Sequence, residues 1–164
     1  MKKIFFITNF ILISFLQLSC NTDVVSDNVT ANNAVDVYVA GQTTEYVSSR
    51  ALFWKNEKLT FLTPENINAR AHEIFVSDNQ VFICGEIINS DLSTTAVYWL
   101  NGTINIIEQN SVTHDILKNG NDLYITGIDS KNAAVYWKNG VKNVLSSEAL
   151  ASSIMKMKMI NNDL

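Results

Sequence analysis

The sequence predicts an all-β fold, a β-propeller-like array of four-stranded antiparallel blades, on three observations. A short cassette occurs three times, as Val37-Tyr38-Val39-Ala40-Gly41, Val81-Phe82-Ile83-Cys84-Gly85 and Leu123-Tyr124-Ile125-Thr126-Gly127. Each is followed by an aromatic-Trp pair, Phe53-Trp54, Tyr98-Trp99 or Tyr136-Trp137, and the last two pairs lead into Asn-Gly turns. From Gly41 to Gly85 to Gly127 the spacings are 44 and 42 residues, and from Trp54 to Trp99 to Trp137 they are 45 and 38, in the range of propeller blades.

The chain opens with Lys2 and Lys3 before an apolar stretch over residues 4–18. That stretch is too short for a comfortable transmembrane helix and has the charged start of an export signal. It closes on Leu16-Gln17-Leu18-Ser19-Cys20, which resembles the lipobox of bacterial lipoproteins. The resemblance implies a signal peptide over residues 1–19 and a Cys20 that is lipidated and becomes the first residue of the mature chain. Acyl burial at about 0.8 kcal/mol per methylene would tether the protein to a membrane without spanning it. The implied address is the bacterial cell envelope, at the outer membrane, facing the periplasm or the surface. The alternative is an ordinary cleaved signal with an unmodified cysteine.

Loss of residues 1–19 removes Lys2 and Lys3 and leaves ten basic against sixteen acidic residues, a net charge of −6. Nucleic acid is therefore excluded as a natural partner. With Cys20 lipidated, Cys84 is left without a disulfide partner, and its place in the cassette opposite Ala40 and Thr126 reads as a small packing residue.

Residues 20–35 are rich in Asn, Asp, Ser and Thr without a period and read as a flexible tether. The repeat domain spans residues 36–164, with copies at about 36–69, 70–110 and 111–150 and the start of a fourth at 151–164. The second copy divides into strands at 71–77, 80–87, 95–100 and 103–108, joined by turns at Asp78-Asn79 and Asn101-Gly102, residues that tolerate positive φ. The third copy places turns at Asn119-Gly120 and Asn139-Gly140. Neighbouring strand residues point to opposite faces, so Tyr98 and Trp99 must face opposite ways. A sandwich with one wet face would expose one of them, whereas a blade between two others buries both.

The recurrence resembles bacterial repeat propellers with Tyr-Val-Ala-Gly and Tyr-Trp-Lys-Asn-Gly motifs over residues 36–164, a resemblance that speaks of architecture and not of ligand. A ring needs four to eight blades, so an array of about three is expected to be part of a longer product or to self-associate through its open faces.

Aligned inner strands place His72-Glu73-Ile74 over His114-Asp115-Ile116. A repeated His-acid pair at a channel mouth could bind a polar ligand; the structural reading is histidines at strand starts bonded to backbone, with solvated acids. The fourth copy has Met155-Lys156-Met157 there, which removes both imidazole and carboxylate, and two histidines fall short of a closed metal site. Residues 155–159 alternate Met and Lys with the period of a strand. Trp54, Trp99 and Trp137 recur in register and read as core rather than as sugar-stacking faces. No phosphate loop, metalloprotease, nucleophile-elbow or calcium-loop motif occurs, and no cofactor is expected. The sequence thus predicts an exported, membrane-tethered lipoprotein whose domain binds a protein or glycan. An envelope glycan hydrolase or lyase using His72, Glu73, His114 and Asp115 is the alternative, and a fragment without function of its own is the third.

Overall fold

A computed structural model of the chain describes residues 35–44, 48–146 and 154–160. The expected signal peptide, Cys20 and nearly all of the tether lie outside the described residues. Within them the fold is all-β, without helices, in three antiparallel sheets. The first holds β1 (Tyr38–Gln42), β2 (Ala51–Lys55) and β3 (Lys58–Phe61). The second holds β4 (Ala69–Ser77), β5 (Gln80–Ile88), β6 (Thr94–Leu100) and β7 (Thr103–Gln109). The third holds β8 (Val112–Asn119), β9 (Asp122–Ile128), β10 (Ala134–Lys138) and β11 (Val141–Val144). Each sheet is a simple meander in which sequential strands pair.

Turn chemistry sets these hairpins. Asp78 and Asn79 both take positive φ (52° and 58°), as do Asn101 and Gly102 (51° and 84°) and Asn139 and Gly140 (50° and 81°), the backbone a two-residue hairpin loop needs. The β8–β9 turn lies one residue later than the sequence predicts. Asn119 pairs with Asp122, so Gly120-Asn121 is the loop, because Gly120 supplies the positive φ (57°) at its first position.

The turn Asn residues also act as clamps. Asn56, Asn101 and Asn139 each accept, through Oδ1, the backbone N–H of Val37, Val81 and Leu123 at 2.9, 2.9 and 2.8 Å. Their own N–H groups donate back to the carbonyls of the same three residues. Every sheet thereby ties its Trp hairpin to the start of its cassette strand.

The middle sheet is covered on both sides. On one face Ile83, Val97 and Trp99 pack with Ala51, Ala40 and Phe53 of the first sheet. On the other, Phe82, Cys84 and Tyr98 pack with Ile125, Val135 and Trp137 of the third. Tyr98 and Trp99 thus serve opposite interfaces, as the alternation requires. Trp99 and Trp137 are fully buried, whereas Trp54, on the outward face of the first sheet, is half-buried. Cys84 has no exposed surface, and burial pushes its thiol up to about 12, which fits a packing residue.

In the second and third sheets the cassette glycine is fixed by contact, whereas a Cβ on Gly41 would meet nothing closer than 3.6 Å. A Cβ on Gly85 would lie 2.0 Å from the Arg70 carbonyl oxygen and 2.9 Å from Trp99. On Gly127 it would lie 2.0 Å from the Val112 carbonyl oxygen and 3.0 Å from Trp137. Gly85→Ala and Gly127→Ala should each destabilise the domain by about 3 kcal/mol, at the upper end of overpacking costs because backbone must move. Gly120→Asn, in open space with left-handed backbone, should change stability by less than about 1 kcal/mol; denaturant midpoints measure both.

The β5–β6 and β9–β10 loops share one shape. Asn89 N–H donates to the Ser93 carbonyl and Asp129 N–H to the Ala133 carbonyl. The left-handed position falls on Leu92 (φ 68°) in one and Asn132 (φ 60°) in the other. Leu92 is 82% exposed, so packing returns nothing for its strain. Leu92→Asn should raise stability by about 0.5–1 kcal/mol, seen as a higher denaturant midpoint.

Candidate functional site

The predicted site residues sit on β4 and β8, and both strands carry a β-bulge where the histidine falls. Pairing runs Ala71 with Gly85 and then Glu73 with Cys84, skipping His72. On β8 it runs Thr113 with Gly127 and then Asp115 with Thr126, skipping His114. A bulge leaves the extra residue outside the ladder and re-aims its side chain.

The structure accordingly separates the residues that the sequence placed together. The two imidazoles meet each other, with ring centroids 6.0 Å apart and planes 17° from parallel. His72 Nδ1 lies 2.5 Å from the Thr113 carbonyl, and His72 Nε2 lies 3.8 Å from a carboxylate oxygen of Glu86. Glu86 is buried and also pairs with the Arg70 guanidinium at 3.2 Å. His114 Nε2 is buried without a hydrogen-bond partner among the described residues. Burial, and then the neighbouring His72, hold the His114 imidazole below its usual value, against an opposing pull from Glu86.

The carboxylates serve a different cluster. Asp115 is buried and accepts from the backbone N–H of Ile116 at 2.9 Å and of Met157 at 2.5 Å. Glu73 forms an ion pair with Lys156, and that hydrogen bond, with burial opposing, raises the Lys156 ammonium above its ordinary value. The fourth copy carries neither imidazole nor carboxylate at these positions, but it contributes a charge to the cluster. Lys156, aligned with Glu73 and Asp115 in sequence, stands beside the acids and neutralises one of them. The strand expected over 155–159 forms no ladder among the described residues.

Beside this cluster lies an open groove of about 600 Å³. Ile74, Phe75, Leu117, Met157 and Met159 give it apolar walls, with Lys118 and Lys158 among its lining. Lys118 is tied to Asp78 at 3.2 Å. Among the described residues, no group of three His, Cys, Asp or Glu side chains is placed to hold a metal ion.

Sequence reasoning missed Glu86, Arg70 and Thr113. Glu86 follows the cassette glycine directly, whereas Gln42 and Ile128 occupy the equivalent places. That break in the repeat was the available signal.

Comparison with protein families, with curated proteins and with solved structures finds no match to this chain.

The depressed His114 value carries a sign. A histidine whose folded value lies below its unfolded one contributes stability above the unfolded value of about 6.5, begins to lose it as pH falls below that point and has lost it once pH has fallen through the folded value. His114→Gln should therefore lose less stability than the parent between about pH 7.5 and about pH 5.5, measured as the change in denaturant midpoint.

Proposed function

We propose that the stacked sheets are blades of a β-propeller-type domain, tethered to a bacterial envelope membrane through a lipid on Cys20, and that the domain is a binding module for a protein or glycan. One observation carries the binding reading: both candidate carboxylates are already committed to partners within the fold, beside a groove that stays open. Glu73 is neutralised by Lys156, Asp115 holds two backbone amides, and the histidines stack on each other. General acid-base chemistry needs a proton donor and acceptor aimed at one reacting atom, and these groups diverge. A groove with apolar walls, lined also by the acids Glu73 and Asp115 and by Lys118, Lys156 and Lys158, suits a ligand with an apolar body and a hydrogen-bonding group.

Support for the blade reading is the repeated four-stranded meander and a middle sheet buried on both faces. Support for the tether is the sequence alone, through Leu16-Gln17-Leu18-Ser19-Cys20.

The test has two arms. In bacteria fed a labelled fatty acid, the full chain should take up label and sediment with membranes, and Cys20→Ala should do neither. Label in the variant as well would sink the anchor. For the site, the purified chain should show no sustained turnover of envelope glycan. Turnover in the parent that vanishes in His114→Gln would replace the binding reading with the enzyme reading.

A further inference from the structure

A cleft between the second and third sheets differs in chemistry from the groove beside Asp115. Five charged side chains, Glu73, Asp115, Lys118, Lys156 and Lys158, line that groove. The cleft, of about 420 Å³, is lined by no charged side chain among the described residues. Its size falls within the range of about 300–1,000 Å³ usual for small-molecule sites. On one side β6 and β7 supply Tyr98, Asn105 and Ile106; on the other β9 and β10 supply Leu123, Ile125 and Trp137.

The polar groups of the cleft are placed and available. Tyr98 and Asn105 stand opposite each other across the β6–β7 ladder, so both side chains leave the same face of the sheet. Asn105 Nδ2 donates to the Thr103 carbonyl at 3.0 Å, which fixes the amide and leaves its Oδ1 and one N–H for a ligand. Tyr98 is half-buried, and its hydroxyl has no hydrogen-bond partner among the described residues. The Trp137 Nε1 is engaged by Glu108 at 3.3 Å, so its ring offers carbon alone to the cleft.

The Tyr-Asn pair is a built feature. The third sheet repeats it as Tyr136 opposite Asn143, with Asn143 Nδ2 on the Val141 carbonyl, again at 3.0 Å. The first sheet has Phe53 opposite Thr60, without phenol or carboxamide. Packing does not account for the difference, because Phe53 packs between the first and second sheets as Tyr98 does between the second and third.

We propose that this cleft binds an uncharged sugar, with its apolar face against Ile106 and Leu123 and its polar rim bonded to Tyr98 and Asn105. An ionic ligand there would give up hydration without meeting a counter-charge. A purely apolar ligand would leave the phenol and the carboxamide unpaired. A sugar ring satisfies both walls, since its C–H face suits apolar side chains and its hydroxyls pair with groups that both donate and accept. The site shares no residue with the groove of the binding reading above and goes beyond that reading; it depends neither on a lipid nor on closure of a ring.

The test titrates the full chain in detergent with cellobiose, maltose and N,N′-diacetylchitobiose, read by saturation-transfer NMR, with digalacturonic acid as the charged comparison. At least one uncharged disaccharide should bind, and Tyr98→Phe and Asn105→Ala should each weaken it by about five- to tenfold, the loss of one hydrogen bond. Glu73→Gln, in the other groove, should leave that affinity unchanged. Tyr98→Phe installs the residue type that the first sheet carries at Phe53, so its denaturant midpoint should stay at the parent value and separate lost binding from lost fold. Binding of none of the three, or equal binding of digalacturonic acid, overturns the site. Binding that Glu73→Gln abolishes and Tyr98→Phe leaves intact also overturns it, placing the sugar in the groove beside Asp115 and leaving the binding reading in force.

Discussion

The domain depends on one close approach, that of an inner-strand carbonyl and a Trp ring to the cassette glycine. The Arg70 carbonyl occupies the space where a side chain of Gly85 would begin, and Trp99 closes the same space from the side. Val112, Gly127 and Trp137 repeat the arrangement. Pairing with the glycine in place, the inner strand then takes up an extra residue before its ladder resumes. The glycine, the Trp and the bulged histidine are parts of a single local solution. This is why the cassette and the Trp recur together, and why the histidines fall on irregular backbone.

That arrangement also explains why stacking, rather than any isolated sheet, stabilises the fold. A buried Trp removes about 150–250 Å² from water, on the order of 4–6 kcal/mol at ~25 cal/mol per Å² before entropy is counted. Trp99 and Trp137 realise that burial because another sheet lies over each, whereas Trp54 on an outward face does so only in part. The exposed ion pairs Lys55–Asp36 and Lys138–Asp122 add little by comparison, being in water and screened. They refine the turn clamps of their sheets. The middle sheet lacks the pair, with Gln80 and Leu100 in its place, and its cassette ring Phe82 is buried against the third sheet instead.

The architecture was legible because its causes are periodic. Tyr98-Trp99 could be assigned to opposite faces from strand geometry alone, and the clusters on the two sides of the middle sheet agree with it. The site was less legible because alignment treats adjacent residues as neighbours in function. His72 and Glu73 are consecutive, yet the bulge sends the imidazole toward His114 and Glu86 and leaves the carboxylate to Lys156. Lys156 itself looked like the loss of a conserved-type acid. In a stacked array, however, equivalent positions of different copies come side by side, so a charge reversal in one copy can be a partner for the others. The turn Asn residues were legible as turn formers but not as clamps. The signal was their invariable place two residues after the Trp.

Variation among the copies follows the same physics. On the face that packs against the next sheet in the first and second copies, and at the equivalent positions of the third, the copies keep aromatic, β-branched or small residues: Tyr38, Phe82 and Tyr124, or Ala40, Cys84 and Thr126. The inner strand is bounded by a sheet partner on one edge only, and its other edge faces equivalent strands of the array. There the copies diverge in charge, from Glu73 to Asp115 to Lys156, without disturbing the stack. A ligand site requires residues that differ from their equivalents, and the inner edge is where this fold tolerates such differences at least cost. The groove beside Asp115 and Lys156 lies on that edge, which makes it the part of the molecule where recognition can change while the sheets that support it remain the same.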